Sequence, residues 1–443
     1  MNILVVAPQP FFTPRGTPFS VYYRTQVLCE LGHRVDLLTY GQGADVEIPG
    51  CRVVRIPAFR ALGPVRVGPS LLKLFLDGFL LLWTVGLLLS RRHEVVHAHE
   101  EAVFWCRWLK PIFGFRLIYD MHSSLPQQLH NFQFTRLRLV HWLFETLERS
   151  AVRAAEAVIV VCPALLAQAR GLTADHGKIF LIENSLSDPV RLAGEPAGGD
   201  HGVRGEELAA AERWIDGRGR DAVVAYAGTL EAYQGIDRLL EAFSAVRREM
   251  PAAGLLIVGG MPREVEHFRR LADTLGLGEA VHFTGQVTQQ EAQRLVALAA
   301  VGISMRLTGT NTPMKIYQLM ADGVPLVATR IESHTQVLND GISILADTTP
   351  EALAEAILRA LREPEAALGL AARAKEWYGE HYSREAYTAK MAKLLSLVSR
   401  EPAPQSRRGA PSARAGSPEH EPISAGSQGR RECRAKGAGC GAD

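Results

Sequence analysis

The stretch Val301–Thr329, VGISMRLTGTNTPMKIYQLMADGVPLVAT, contains the unit from which the predicted fold is built. An apolar run over Val301–Met305 precedes a polar turn, and a second apolar run covers Leu326–Thr329. Between them, Thr312 and Pro313 are predicted as N-cap and first residue of a helix that Gly323 ends about three turns later. Continuous apolar strands joined by helices are typical of parallel sheets covered on both faces.

Similar apolar runs recur along the chain in two sets separated by a gap. The first set is Ile3–Pro8, Val35–Tyr40, Val53–Ile56, Val95–His99, Leu117–Asp120, Ala157–Val161 and Ile179–Ile182. The second set, besides the two runs above, is Ala222–Ala227, Leu255–Val258, Val281–Thr284 and Ile342–Ala346. Two such sets predict an α/β protein with two Rossmann-like domains in tandem.

The gap and the end of the chain differ in composition from these sets. We predict an N-terminal Rossmann-like domain over residues 1–187, a linker over 188–220 rich in Gly, Pro and Asp, and a C-terminal Rossmann-like domain over 221–398. Residues 399–443 contain Ile423 as their only large aliphatic residue. Such a segment buries too little apolar surface to offset the entropy of ordering, so we predict a disordered tail.

Charge and cysteine content exclude several classes of protein. The chain has 443 residues and a formal net charge of +2, and both excess charges fall after residue 400. A neutral body argues against a dedicated nucleic-acid-binding protein, so we expect no nucleic-acid partner. The six cysteines form no CxxC pair. We therefore expect no metal site, no disulfide framework and a cytoplasmic location.

One apolar segment, residues 71–89, is unusual for a soluble domain. Lys73, Asp77 and Gly78 interrupt it, which argues against a membrane-spanning helix of roughly 20 apolar residues. Between Cys51 and Arg116 there are ten basic and four acidic residues, an excess of six positive charges. Two alternatives remain open: peripheral docking on an anionic membrane at its inner face, or a helix buried against the sheet.

The polar turn after Met305 is predicted to bind an anion. Lys315 lies in the first helical turn, where the helix dipole disfavours a cation unless an anion shares the site. Gln318 lies three residues further, on the same side of the helix. We predict a diphosphate and sugar-nucleotide pocket here, with a purely structural helix start as the alternative. The further residues of the predicted pocket are Gly309, Thr310, Asn311 and Thr312. Gly16 and Thr17, where a helix follows the first strand, are further candidates for a ligand contact.

Four stretches together resemble the retaining GT-B glycosyltransferases of family 4. They are NTPMKIYQLMADGVPLVAT, YAGTLEAYQGIDRLLEAF at Tyr226–Phe243, VHFTGQV at Val281–Val287, and APQPFFTPRGTPFSVYYR near the start. The resemblance covers roughly residues 1–398. It implies a nucleoside-diphosphate sugar held mainly by the C-terminal domain, an acceptor held by the N-terminal domain, and neither a catalytic metal nor another cofactor.

The resemblance assigns donor-binding positions, and this chain departs from the family at four of them. The two family glutamates correspond to Thr310 and Gln318. The family's diphosphate-gripping Arg and Lys correspond to Thr229 and Gln234, in the turn that begins at Gly228. We predict that Arg306 and Lys315 replace the missing cations and act as catalytic groups.

In the N-terminal domain, His122 follows a strand end and matches the family's catalytic histidine that reaches the donor sugar. We expect His99 and Glu100 to border the acceptor side of the cleft. The spacing His97-x-His99 invites a zinc interpretation. We expect the two rings to point to opposite faces of the strand and not to share a metal.

The sequence therefore predicts a retaining hexosyltransferase that uses a nucleotide-diphosphate sugar and an acceptor that is lipid-linked or an envelope glycan. Two alternatives remain: a nucleotide-sugar-binding protein of the same fold that has lost catalysis, and a sugar-nucleotide epimerase.

Overall fold

The computed structural model describes residues 1–13, 16–59, 63, 65, 70–124, 138–190, 192 and 202–399. All of the predicted disordered tail beyond Ser399 lies outside the described residues, as does the Gly-rich part of the predicted linker.

The first sheet has seven parallel strands in the order β3-β2-β1-β4-β5-β6-β7. These are β1 Asn2–Ala7, β2 Arg34–Thr39, β3 Cys51–Arg55, β4 Val95–His99, β5 Arg116–Met121, β6 Ala157–Val160 and β7 Ile179–Leu181. The connecting helices are α1 Gly16–Glu30, α2 Leu71–Ser90, α3 Ala102–Phe113, α4 Arg138–Ala154 and α5 Pro163–Leu172. All five residues of β4 are buried, as expected for a strand with helices on both faces.

The second sheet has six parallel strands in the order β10-β9-β8-β11-β12-β13. These are β8 Val223–Ala227, β9 Gly254–Val258, β10 Val281–Gly285, β11 Val301–Ser304, β12 Leu326–Thr329 and β13 Ile344–Ala346. Its helices are α6 Gly202–Arg218, α7 Ile236–Glu249, α8 Pro262–Thr274, α9 Gln289–Ala297, α10 Met314–Asp322, α11 Glu332–Thr335, α12 Pro350–Arg362 and α13 Pro364–His381. One face packs against α7, α8 and α12, and the other against α6, α9 and α10.

The predicted fold class is confirmed, and each predicted strand is observed within two residues of its predicted start. One helix boundary was wrong. Pro313, not Thr312, is the N-cap of α10, because its backbone is extended (φ −66°, ψ 131°) and Met314 is the first helical residue. Within the predicted linker, α6 packs Ala211 and Ile215 into the core of the second sheet.

The last helix, α14 Arg384–Ser399, belongs to the core of the first sheet although its sequence follows the second. Its apolar residues form one face and are buried with side chains of β1, β2 and α1: Tyr387, Met391, Leu394, Leu395 and Val398. The chain thus returns to the first sheet after completing the second.

Helix α2 is buried along only one narrow face. Leu76, Leu80, Thr84 and Leu88, spaced four residues apart, pack inward. The opposite face, here called the apolar stripe, is exposed and contains no charged residue: Leu71, Leu74, Phe75, Gly78, Leu82, Gly86 and Leu89. By length and composition, α2 is the one helix in the described part of the chain that could cross a membrane. A helix wholly buried against the sheet, one of the two alternatives, does not describe α2.

The two charged residues of α2 bond to the protein rather than extend into the apolar stripe. Lys73 Nζ lies 2.7 Å from Glu101 Oε1, and the Tyr40 hydroxyl donates to Asp77 Oδ1 at 2.5 Å. The interruptions that argue against a membrane helix in the sequence therefore leave the outer face uniformly apolar.

Candidate functional site

The predicted site residues lie near the carboxyl ends of strands where the order of each sheet reverses. In the first sheet this point is between β1 and β4, and in the second it is between β8 and β11. Ligands of open α/β sheets bind at such points because the connections there diverge to opposite faces and leave a crevice. The loop that joins β11 to α10, residues 305–313, is at this place.

This loop contacts the first sheet directly. Asn311 Nδ2 donates to the His122 carbonyl oxygen at 2.8 Å, and the Cys162 thiol lies 3.6 Å from Asn311 Oδ1. Gln336 accepts from the Ala164 backbone N–H at 3.1 Å and donates to the Thr310 carbonyl oxygen at 2.6 Å. The structure thus brings His122, Thr310 and Asn311 together from opposite sides of the cleft.

Arg306 and Lys315 form a pair of largely buried basic side chains, here called the cationic clamp. Lys315 Nζ lies 3.8 Å from the centre of the Tyr226 ring, and the Arg306 guanidinium carbon lies 5.4 Å from the centre of the Tyr233 ring. Among the described residues, neither Lys315 Nζ nor Arg306 Nε has a hydrogen-bond partner. Burial, with a further contribution from Arg306, lowers the pKa of Lys315 well below its usual value.

The backbone beside the clamp is open because it is built from glycines. Gly228 and Gly259 adopt φ of +147° and +109°, a region that favours glycine. A Cβ atom on Gly259 would lie 2.3 Å from the Gly228 carbonyl oxygen, and one on Gly228 would lie 3.0 Å from Lys315 Nζ. Any side chain at Gly228 would therefore crowd the ammonium group.

The polar residues at the family's charged positions are distributed over two regions. Gln234 is buried and its amide lies 3.5 Å from Thr229 Oγ1, near the clamp. Gln318 accepts from Gln293 at 2.9 Å and donates to Asp322 at 2.7 Å. Gln293 also donates to the Ser187 carbonyl oxygen at 2.7 Å, so the described contacts of Gln318 lead toward the connection between the sheets.

The remaining residues predicted to bind the donor have fewer described contacts with the clamp. Gly309 has φ of +127°, and a Cβ atom there would lie 3.5 Å from Arg306 Nη1. Thr312 is half-buried in the same loop. Gly16 and Thr17 are the first residues of α1, and nothing among the described residues lies within 4 Å of a Cβ atom built on Gly16.

Three histidines are stacked at the ends of β4 and β5. The ring centres of His97 and His99 are 4.6 Å apart, and those of His99 and His122 are 5.2 Å apart. The expectation that His97 and His99 point to opposite faces is wrong, because side chains alternate along a strand and residues two apart share a face. Burial lowers the pKa of His122 to about 4, so this ring is neutral at pH 7.

His99 is 1% exposed and His122 is 4% exposed. His99 Nδ1 lies 2.9 Å from His122 Nε2, so the contact that the structure gives His99 at the cleft is with His122. Glu100, the other predicted acceptor-side residue, adopts φ of +48° at the end of β4. Burial, with a contribution from Glu101, raises its pKa to about 7.

His97, His99 and Asp120 offer ligand atoms within 4.8 Å of one another, as a metal site would. Arg24 Nε, however, lies 2.6 Å from the same Asp120 oxygen that contacts His97. A metal ion on this carboxylate would meet a buried guanidinium, which carries the same sign of charge. We therefore assign this group as an ion pair with histidine partners.

Sequence reasoning missed Arg24 and the role of Asp120. Arg24 lies on α1 among buried residues and is itself fully buried. The available signal was a lone arginine in a largely apolar stretch, VYYRTQVL, which a helix covering a sheet would have to bury. A buried arginine needs an acidic partner, and the partner is almost one hundred residues away in the sequence.

Two glycosyltransferase family descriptions match the chain. One match covers the strands of the first sheet except β1, and the other covers all strands of the second sheet. Residues 23–185 match "Glycosyl transferase 4-like domain", and residues 221–363 match "Glycosyl transferases group 1". Together these two ranges cover more than half of the chain.

Relatives with assigned activities are 24–29% identical to this chain over the matched residues. A GDP-mannose-dependent alpha-(1-6)-phosphatidylinositol monomannoside mannosyltransferase of Mycolicibacterium smegmatis is 29% identical over 188 residues, 41% of this chain and 49% of the relative. This match therefore spans about half of the relative's length. A phosphatidyl-myo-inositol mannosyltransferase of Mycobacterium leprae is 24% identical over 371 residues, 82% of this chain and 88% of the relative.

Solved structures are similar over most of the chain. A sucrose-phosphate synthase of Thermosynechococcus elongatus superimposes with a TM-score of 0.67 at 21% identity, covering 89% of this chain and 98% of the other. The Anabaena protein HepE, in complex with UDP-glucose, has a TM-score of 0.62 at 15% identity, covering 89% of this chain and 99% of the other. At these identities the likeness concerns the fold, and it confirms the predicted GT-B arrangement.

Proposed function

Because the chain belongs to the group 1 glycosyl transferases and carries a glycosyl transferase 4-like domain, we propose that it is a retaining glycosyltransferase. It moves a hexosyl group from a nucleoside-diphosphate sugar to an acceptor that is lipid-linked or an envelope glycan. The cationic clamp is the observation that carries this proposal.

The clamp is built for an anion that enters from the cleft. Two buried basic groups close to each other disfavour each other's positive charge, and among the described residues neither forms an ion pair with a carboxylate. Lys315 Nζ lies beside Gly228, where no side chain is present. Neither Lys315 Nζ nor Arg306 Nε has a hydrogen-bond partner among the described residues. A diphosphate would supply the missing acceptors, with charge-assisted hydrogen bonds of about 1.5–3 kcal/mol each.

The same contacts favour the transfer step. As the bond between the sugar C1 and the phosphate oxygen breaks, its electron pair stays on the diphosphate, and Arg306 and Lys315 stabilise the developing charge. The acceptor hydroxyl oxygen forms its bond to C1 from the same face, and its proton passes to the departing diphosphate oxygen. Retention follows because both events occur on one face of the sugar.

His122 is the group of the first sheet that we place against the donor sugar. Its neutral ring carries one N–H, which suits a hydrogen bond to a sugar hydroxyl and not a charge contact. Asn311 holds the His122 backbone at 2.8 Å, so the loop that carries the clamp also positions this side of the pocket.

Removal of the clamp tests the proposal. We expect wild-type protein to be stabilised by one class of nucleoside-diphosphate hexose among UDP-, GDP-, ADP- and dTDP-sugars in a thermal-shift screen. Arg306→Ala and Lys315→Ala should each weaken donor affinity roughly tenfold to a hundredfold, as lost charge-assisted hydrogen bonds require. Isothermal titration calorimetry measures the donor affinity of wild type and of both variants.

Arg270→Ala is the matched control, because Arg270 is an exposed arginine of the second sheet paired with Glu266 on its own helix. It should leave donor affinity unchanged. Unaltered affinity in both clamp variants would refute the clamp. Binding without sugar transfer to any extracted acceptor would favour a lapsed binding protein, and an isomerised sugar nucleotide would favour an epimerase.

The apolar stripe of α2 supports a membrane-proximal acceptor and peripheral docking at the inner face of the membrane. Leu71, Leu82 and Leu89 are 80%, 64% and 74% exposed, which is costly for a surface that meets only water. Trp108 and Ile112 on the adjacent α3 are exposed as well. Arg91 and Arg92 follow at the end of α2 and are exposed, where they can meet anionic headgroups.

Vesicle flotation tests this docking. Full-length protein should float with vesicles that contain phosphatidylglycerol and bind pure phosphatidylcholine vesicles more weakly. Leu74→Glu and Leu82→Glu should each reduce the bound fraction, because each removes an apolar contact of about 1.5–3 kcal/mol and adds a negative charge. Leu368→Glu, at an exposed leucine of α13, is the control and should float like wild type. Equal flotation of all variants would refute the docking surface.

A further inference from the structure

Behind His122, a line of buried polar side chains connects the cleft to the interior of the first sheet. We propose that His99, held by Asp120 and Arg24, is a positioning residue that keeps the proton of His122 on Nδ1. This inference rests on the proposed function, because it makes Nδ1–H of His122 a hydrogen-bond donor to the donor sugar or to the acceptor substrate.

Asp120 is the centre of this group. His97 Nε2 lies 3.0 Å from Asp120 Oδ2, and Arg24 Nε lies 2.6 Å from the same oxygen. Asp120 Oδ1 lies 3.3 Å from His122 Nε2, and Oδ2 lies 3.5 Å from His99 Nδ1. The carboxylate therefore faces the nitrogen pair that joins the two histidines.

Arg24 keeps the carboxylate ionised and in place. Its guanidinium also donates to the Tyr387 hydroxyl at 3.1 Å and to the Ile182 carbonyl oxygen at 3.0 Å. Burial alone would raise the pKa of Asp120, but Arg24, together with the neighbouring histidines, outweighs burial and holds it below its usual value. Because Tyr387 and the Ile182 carbonyl oxygen hold Arg24, Asp120 has little freedom to turn away from the histidines.

The shared proton between His99 and His122 belongs on His99. The contact between His99 Nδ1 and His122 Nε2, at 2.9 Å, requires one of the two to donate. His99 Nε2 is buried with no partner among the described residues. A proton there would leave a buried N–H unsatisfied, whereas a proton on Nδ1 is used in the hydrogen bond and lies toward Asp120.

His122 is then the acceptor at Nε2 and must carry its own proton on Nδ1. Nε2 is occupied by His99, so Nδ1 is the ring nitrogen left to a substrate. A neutral ring with Nδ1–H donates to a sugar hydroxyl or to an oxygen that gains charge in the transfer. The opposite tautomer would present a lone pair and would accept instead.

The test reads the proton of His122 directly. Selective 15N labelling of histidine distinguishes Nδ1–H from Nε2–H rings, and His122→Gln identifies the signal of His122. We expect the Nδ1–H form in wild type. In His99→Phe, which keeps a stacked ring and removes the donor, the proton should move to Nε2, where Asp120 Oδ1 attracts it. In His99→Asn, an amide N–H close to the original Nδ1 should restore the Nδ1–H form.

Kinetics of the same variants should follow the tautomer. His99→Phe should lower kcat about a hundredfold, the smaller end of what a positioned proton donor contributes, while donor KM changes less than twofold. His99→Asn should recover most of the lost kcat. His93→Phe is the control, because His93 is another buried histidine of the first sheet, paired with Asp36 at 3.0 Å. It should lose stability and leave kcat and the His122 signal unchanged.

A wild-type Nε2–H ring would overturn the inference, and so would a His122 signal that His99→Phe does not alter. Equal kcat losses in His99→Phe and His99→Asn would overturn it as well, since they would show a structural effect only. A protein with the expected tautomer change that transfers no sugar from any donor would refute the proposed function and leave the role of His99 standing.

Discussion

Lys315 is a lysine whose charge depends on what shares its site. Its ammonium group is buried beside Arg306 and over the Tyr226 ring, with no hydrogen-bond partner among the described residues. Its pKa is lowered well below the usual 10.5 by burial and by Arg306. A bound diphosphate would reverse that shift, because it replaces the lost hydration with negative charge.

Donor binding should therefore take up a proton at Lys315. Between the lowered pKa and 10.5, the unfolded lysine is protonated and the folded lysine is not, so stability without donor rises with pH across this interval. Donor affinity should fall as pH rises across the same interval. Calorimetry in two buffers of different ionisation enthalpy should show proton uptake for wild type and none for Lys315→Arg, whose guanidinium stays charged.

Equal heats in both buffers from pH 7 to 9.5 would contradict this linkage. Lys315→Arg also serves as the control for donor binding itself, since it keeps a cation in the clamp.

Single residues of the second sheet were more predictable than those of the first. The turn after β11 joins polar and cationic groups within a short stretch of sequence, so their proximity follows from chain connectivity. His97 and His99 are also close in sequence, but the prediction of their orientation was wrong. The two-residue period of a strand places both side chains on one face. Arg24 could not be assigned a role, because its partners are Asp120 in β5, Ile182 just after β7 and Tyr387 in α14.

In helices α2 and α14, the residues that pack against each helix decide which of its faces is exposed and which is buried. The apolar residues of both were visible in the sequence. For α2, the orientation of Lys73 and Asp77 toward Glu101 and Tyr40 is what leaves an uncharged outer face. For α14, the same kind of apolar face is fully covered, because α1 and the first sheet close over it.

The buried face of α14 should contribute to the stability of the first sheet. Leu394 is fully buried in that core. Leu394→Ala should lower the free energy of unfolding by about 2–5 kcal/mol, from the lost apolar transfer and the cavity left behind. Chemical denaturation measures this change. Leu368→Ala, at an exposed leucine of α13, should change it by less than about 0.5 kcal/mol, and an equal loss in both variants would contradict the assignment of α14 to the first sheet's core.

Contacts across the cleft tie the two sheets into one working unit. Asn311 reaches the backbone of His122, Gln336 joins Ala164 to Thr310, and Gln289 and Gln293 both donate to the Ser187 carbonyl oxygen. Each contact pairs an amide side chain of the second sheet with a group of the first sheet or of the segment after it. Each such bond is individually modest, which suits a cleft that, under the proposed function, admits a nucleotide sugar.

Local pattern was sufficient for the thirteen strands, the two parallel sheets and the cation-bearing turn, because apolar runs, caps and turn residues act over a few neighbouring positions. The pairing of Arg24 with Asp120, the return of α14 to the first sheet and the line from Tyr387 to His122 needed the folded chain. Arg24 and Tyr387 are 363 positions apart. A buried charge finds its partner through packing, and packing brings together residues whose separation along the chain carries no local signal.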